Sequence, residues 1–213
     1  MASTIVSVDD FTMDETEVTT AQYATCVRAG RCTPSDITDP RCNMGLPDTG
    51  RHPVNCVSLP QAREYCQWAG RRLCTKLEFH RAGGWPEGNE FPWGNGFGQL
   101  QPCDYANLGS WPRCGSDDSG CGHGTTEPVG SRPLGANQFG VMDLVGNVAE
   151  WVDDWMYPVI DGRQTPRRAV FGGGFAWCPE FSYSNCFQVV EGEDAGDYRI
   201  SVGIRCCGHR GRD

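Results

Sequence analysis

The chain has 213 residues, enough for one domain with a sizeable core. Hydrophobic residues make up 38% and charged residues 21%, which is a globular rather than a disordered composition. The net charge of -9 speaks against a nucleic-acid partner, which needs a basic face to neutralise phosphates.

No apolar run approaches the roughly 20 residues of a membrane span. The opening MASTIVSVDD has neither a basic start nor a long apolar stretch, so no signal peptide is read there. Glycine (28) and proline (14) lie scattered among seven Trp, nine Phe and six Tyr. That mixture predicts a loop-rich fold pinned by large side chains, not a linker.

Cysteine numbers 13, with no Cys-x-x-Cys anywhere. The missing motif argues against zinc ribbons and thioredoxin-type redox chemistry. Disulfides, and therefore an oxidising compartment, are the expected use, with one thiol left over.

Three capping boxes mark helix starts. Thr19–Gln22 opens a helix through Val27, Ser58–Gln61 one through Ala69, and Thr75–Glu78 a short one ending before Gly83. Residues 84–135 read as long ordered loop. Short strands are expected at Val8–Met13, Gly140–Asp143, Ala169–Phe171 and Val202–Arg205. The coarse class is α+β, a single domain over 1–213 with its core about 8–207 and little regular secondary structure.

Met13–Thr19, Tyr65–Leu73, Phe91–Gly94, Gly140–Trp151, Gly172–Phe175 and Val202–Cys206 follow one another in an order that resembles the formylglycine-generating enzyme (sulfatase-modifying factor) family. The resemblance spans about residues 8–207. It implies the family's variant of the C-type lectin fold. Fold alone does not give activity, because the family includes copper-dependent cysteine oxidases, iron-dependent sulfoxide synthases, non-catalytic paralogues and diversified ligand-binding proteins.

The oxidase branch carries two copper-binding cysteines shortly after a Gly-Gly-Ser turn, with four residues between them. Here seven residues separate Cys178 from Cys186, and the turn serine is Gly174. The neighbouring histidine and arginine-rich strand of that branch are absent. Trp151 matches a tryptophan of the oxidase pocket and also suits a core. Cys178 and Cys186 are therefore expected to form a loop disulfide; as an oxidase alternative, Cys178, Cys186 and Trp151 are the catalytic candidates, with copper as cofactor.

The sulfoxide synthases need a histidine set for iron. His52, His80, His123 and His209 show no ligand spacing, so that branch is set aside. Adjacent Asp153 and Asp154 would face opposite ways in a strand, and the acidic Glu191–Asp197 stretch reads as a solvated loop.

The resemblance also implies calcium, a hard ion that suits oxygen-rich loops. One site would use Val145, Gly146, Asn147, Val148 and Glu150, through backbone carbonyls and the Glu150 carboxylate. A weaker one would use Asn107, the Leu108 carbonyl, and Asp117 or Asp118. The alternative for Asn147 and Glu150 is hydrogen bonding to loop backbone.

The family pairs a cysteine matching Cys66 with one matching Cys206; Cys74 with Cys207 is then the economical second bridge. Local spacing suggests Cys26–Cys32 and Cys42–Cys56, with Cys103 joined to Cys121 or Cys114. The reading is a secreted, periplasmic or surface-exposed binding or structural module with a protein or small-ligand partner. The alternatives are a copper-dependent oxidase making formylglycine and a ligand-binding protein diversified over Phe175–Ser201.

Overall fold

The computed structural model describes residues 7–84, 88–109, 121, 124–157, 159–160, 163–164, 167–176, 188–190 and 200–209. Three helices come early: α1 (Thr20–Arg28), α2 (Leu59–Trp68) and α3 (Lys76–Ala82). Each is opened by its capping box, with Thr19, Ser58 and Thr75 accepting from the N3 amide while the N3 side chain reaches back. That reciprocity satisfies two otherwise orphaned donors at each helix start.

The strands are short and fall into two main sheets. Strand β9 (Cys206–His209) lies between β1 (Phe11–Met13) and β2 (Arg72–Leu73), antiparallel to both. The second sheet runs β7 (Gln188–Val190), β6 (Arg167–Phe171), β3 (Ala149–Met156), β8 (Val202–Gly203). Its β3–β8 pairing is parallel, and β4 (Val159–Ile160) with β5 (Arg163–Gln164) forms a separate small hairpin.

Gly140–Asp143 is not a strand. Gly140 (φ 81°) and Asp143 (φ 55°) both sit in the left-handed region, which ends an extended run. Asn137 instead ties this loop, its side-chain oxygen accepting from the amides of Phe139 and Val141. The sequence reading also passed over β3. Ala149 through Val152 are all buried, because the strand is central and covered on both faces, so no polar–apolar alternation marks it.

Buried apolar side chains of the described residues gather in three clusters, of which two are large. One gathers α1 and α2 residues (Tyr23, Leu59, Tyr65) around Trp151 and Ile204. The other gathers Phe79, Phe91, Leu108, Leu144 and Phe171. Adjacent side chains of a strand point to opposite faces. Cys206 accordingly enters the first cluster and Cys207 the second.

Among the described residues five disulfides join Cys26–Cys32, Cys42–Cys56, Cys66–Cys206, Cys74–Cys207 and Cys103–Cys121. These are the pairs named above, with Cys121 rather than Cys114 as the partner of Cys103. Cys114, Cys178 and Cys186 lie outside the described residues, as do Asp117, Asp118, His123 and the Glu191–Asp197 stretch. Among the described residues no helix is long and apolar enough to cross a membrane.

Candidate functional site

The loop from Asp143 to Glu150 leads into β3 and packs against two other backbone segments. The Asn147 amide donates to the Asn107 carbonyl at 2.8 Å, and the Phe175 amide donates to the Asn147 carbonyl at 2.9 Å. The Gly146 amide donates to the Gly172 carbonyl at 2.9 Å. Approach is this close because Gly146 (φ 91°) has no side chain: a Cβ there would lie 2.7 Å from the Asn107 carbonyl oxygen. The two loops singled out for calcium are thus neighbours.

Both polar atoms of the Asn147 side chain bond to backbone, the oxygen accepting from the Glu127 amide and the nitrogen donating to the Glu127 carbonyl. Asn107 donates to the Thr125 carbonyl, while its side-chain oxygen is buried with no partner. The Leu108 carbonyl accepts from the Cys121 amide at 2.9 Å.

Glu150 is completely buried, and one of its oxygens accepts two bonds from the Arg205 guanidinium, at 3.0 and 2.9 Å. Arg205 also donates to the carbonyls of Asp14 and Met142. The second oxygen of Glu150, and both oxygens of buried Glu17, have no partner. Burial, with Arg205 opposing, pushes the Glu150 carboxyl up to about 8. Burial and the neighbouring Asp143 carboxylate push Glu17 well above the usual range. Two carboxylates can bond only through a shared proton, so Glu17 beside Asp143 is uncompensated when both are ionised.

Two buried carboxyls, Glu17 and Glu150, and the half-buried Asp143 therefore share one buried guanidinium. Such a cluster is short of positive charge. The free Glu150 oxygen and the Leu144 carbonyl lie 2.9 and 2.8 Å from where a Cβ of Gly172 would be, so glycine leaves that oxygen pair uncovered. Unpartnered buried oxygens beside a carbonyl-rich loop fit a hard cation. Among the described residues no three His, Cys, Asp or Glu side chains gather as a metal-binding set, so carbonyls would have to supply much of the shell.

Glu17, Asp143 and Arg205 were not singled out from the sequence as site residues. For two of them a signal existed, a charge inside an apolar motif: Arg205 between Ile204 and Cys206, and Asp143 between Met142 and Leu144; Glu17, among Asp14, Glu15 and Thr16, carries none. Trp151 is 2% exposed and its indole N–H donates to the Val57 carbonyl at 2.9 Å, inside the helix-side cluster. His52 hydrogen-bonds Thr126, and His80 packs edge-on to Phe171, where burial and Lys76 lower its pKa. Asp153 pairs with Arg63, and Asp154 accepts from the Lys76 amide.

Residues 1–209 match the model of the sulfatase-modifying factor enzyme 1-like domain. The chain belongs to this family. The formylglycine-generating enzyme of Mus musculus is 40% identical over 109 residues, covering 49% of this chain and 27% of that protein. The inactive Cα-formylglycine-generating enzyme 2 of Mus musculus is 40% identical over 165 residues, covering 75% and 50%. The structure of PvdO from Pseudomonas aeruginosa superposes with a TM-score of 0.67 at 22% identity, over 94% of this chain and 80% of that one, which establishes the fold. The chain spans about half or less of the length of these curated relatives.

Proposed function

We propose that this domain is a non-catalytic binding or structural module on the formylglycine-generating fold, held by cystines and by calcium. The observation that carries the reading is the turn at 172–175. Where the oxidase branch is expected to have serine, this chain has Gly174. A Cβ at that position would lie 3.0 Å from the Ser201 Cβ, 3.0 Å from the Ser201 carbonyl and 3.2 Å from the Asn147 carbonyl. To admit a serine, Ser201 and the Asn147 carbonyl would have to give by a few tenths of an ångström, so the close packing of this turn favours glycine over a catalytic hydroxyl. Engagement of Trp151 in the core supports the same reading, and so does a relative named inactive that matches three quarters of the chain.

Five cystines suit a secreted, periplasmic or lumenal protein better than one kept in a reducing cytosol. Calcium would be held by the Glu150 carboxylate and carbonyls of the 145–148 loop, with Asn107 and the Leu108 carbonyl as a second set. When bound it would neutralise buried carboxylate charge and tie the loops together. The partner is a protein or small ligand.

The second reading, a copper-dependent oxidase, is favoured by the 40% identity to the mouse formylglycine-generating enzyme. One assay separates the two. Incubation with Cu(I), oxygen, reductant and a sulfatase-type cysteine peptide should yield no aldehyde. Aldehyde that disappears in Cys178→Ser or Cys186→Ser would replace the module reading with the oxidase one.

A further inference from the structure

Strand β1 has β9 on one side, and among the described residues no strand pairs with the other. The Asp14 amide donates to the Cys206 carbonyl, and Thr12 stands opposite Gly208 in the same register. Antiparallel pairs alternate, so Thr12 and Asp14 turn their backbone groups toward β9 while Phe11, Met13 and Glu15 turn theirs outward. At Glu15 that outward edge is already used, its carbonyl accepting from the Met142 amide at 2.8 Å. At Phe11 and Met13 no described residue uses it. There the edge opens into a cleft of about 480 Å³ whose near wall is residues 8–13.

The far wall is apolar and fixed. It includes Ala82, Phe139 and Val141, and Phe139 is 66% exposed. Asn137 sets this wall in place, donating to the Ala82 carbonyl at 2.8 Å and accepting from the amides of Phe139 and Val141. Asp9 and Asp10 are exposed where the strand enters the cleft. Arg81 also lines it, and both Asp10 and Arg81 have interactions of their own, so Asp9 is the carboxylate that offers its charge to a ligand.

We propose that the outer edge of β1 takes an extended, basic peptide segment of a partner protein as an added strand, seated between Phe11–Met13 and Phe139. Main-chain bonds to Phe11 and Met13 give the register, alternate apolar side chains fill the cleft, and a lysine or arginine meets Asp9. A second copy of this chain is the poorer occupant: it carries a net charge of -9 and would bring its own aspartates to the edge. The inference does not depend on whether the domain is catalytic.

The test uses the full chain and a capped octapeptide of alternating valine and lysine. Amide hydrogen exchange should slow at Phe11 and Met13 by about tenfold or more on peptide addition, while Thr12 stays protected throughout. Asp9→Lys and Phe139→Ala should each weaken peptide binding about tenfold with Thr12 still protected, which shows the fold intact. Peptide N-methylated at alternate residues should not bind. Unchanged exchange at Phe11 and Met13 would overturn the proposal. So would equal binding of the methylated peptide, or of an alternating valine–glutamate one. Protection at Phe11 and Met13 that rises with protein concentration alone would give the edge to a second copy instead.

Discussion

Glu78 shows how one side chain serves two structural levels at once. It is the N3 member of the α3 capping box, accepting from the Thr75 amide at 2.8 Å. It also takes both terminal nitrogens of Arg72, at 2.8 and 2.6 Å. Burial alone would raise its pKa, but the bonds from Arg72 and Thr75 outweigh that and hold it below the usual value. A carboxylate lowered in the folded state contributes stability that is fully present above its unfolded pKa, about 4.3, and that fades as pH falls through the lower folded value. Glu78→Gln should therefore cost about 1–3 kcal/mol at neutral pH. In urea titrations the gap to the parent should narrow below about pH 4; a gap independent of pH would refute the ion-pair account. Half of this was legible in the sequence. The box is a local pattern, whereas the partner Arg72 comes from β2 and could be placed only by the fold. Glu17 and Arg205 were missed for the same reason, being 188 positions apart in a chain without visible pairing signals.

Elements divide along a similar line. The helices were readable because their start signals lie within four residues of each other, and their spans agree with those signals to within two residues. Strand β3 was not, since its signal is burial on both faces rather than alternation. The 143–150 loop was readable only through its resemblance; what the structure adds is the unpartnered Glu150 oxygen and the surplus of buried carboxylates around Arg205. If calcium occupies this loop, it stabilises the native state by mass action, roughly 2.7 kcal/mol at a hundredfold excess over its dissociation constant. For a domain of this size, chelator should then lower the melting temperature by roughly 5–10 °C. Glu150→Gln keeps an acceptor for Arg205 but removes the charge, and should abolish the chelator response. A melting temperature indifferent to chelator would remove calcium from the loop.

At the scale of the whole molecule, β9 is the element on which both cores converge, and its two cysteines carry the two long-range staples. Cys66–Cys206 spans 140 residues and Cys74–Cys207 spans 133. Taken singly, each closes a loop long enough to remove roughly 5 kcal/mol of unfolded-state entropy in the chain-entropy model. The two loops overlap almost completely, however, each starting outside or ending beyond the other. With Cys74–Cys207 intact, re-forming Cys66–Cys206 closes only the short path through residues 66–74 and the single step from Cys206 to Cys207. That is a loop of roughly nine residues, for which the same model gives about 2.6 kcal/mol. Removing either cystine alone should therefore cost about 2–3 kcal/mol, and removing both about 7–8 kcal/mol, more than twice either single loss. Urea unfolding of Cys66→Ser/Cys206→Ser, of Cys74→Ser/Cys207→Ser and of the four-residue combination measures all three. Additive losses would mean that local strain or cavity formation, rather than shared chain entropy, sets what these staples contribute.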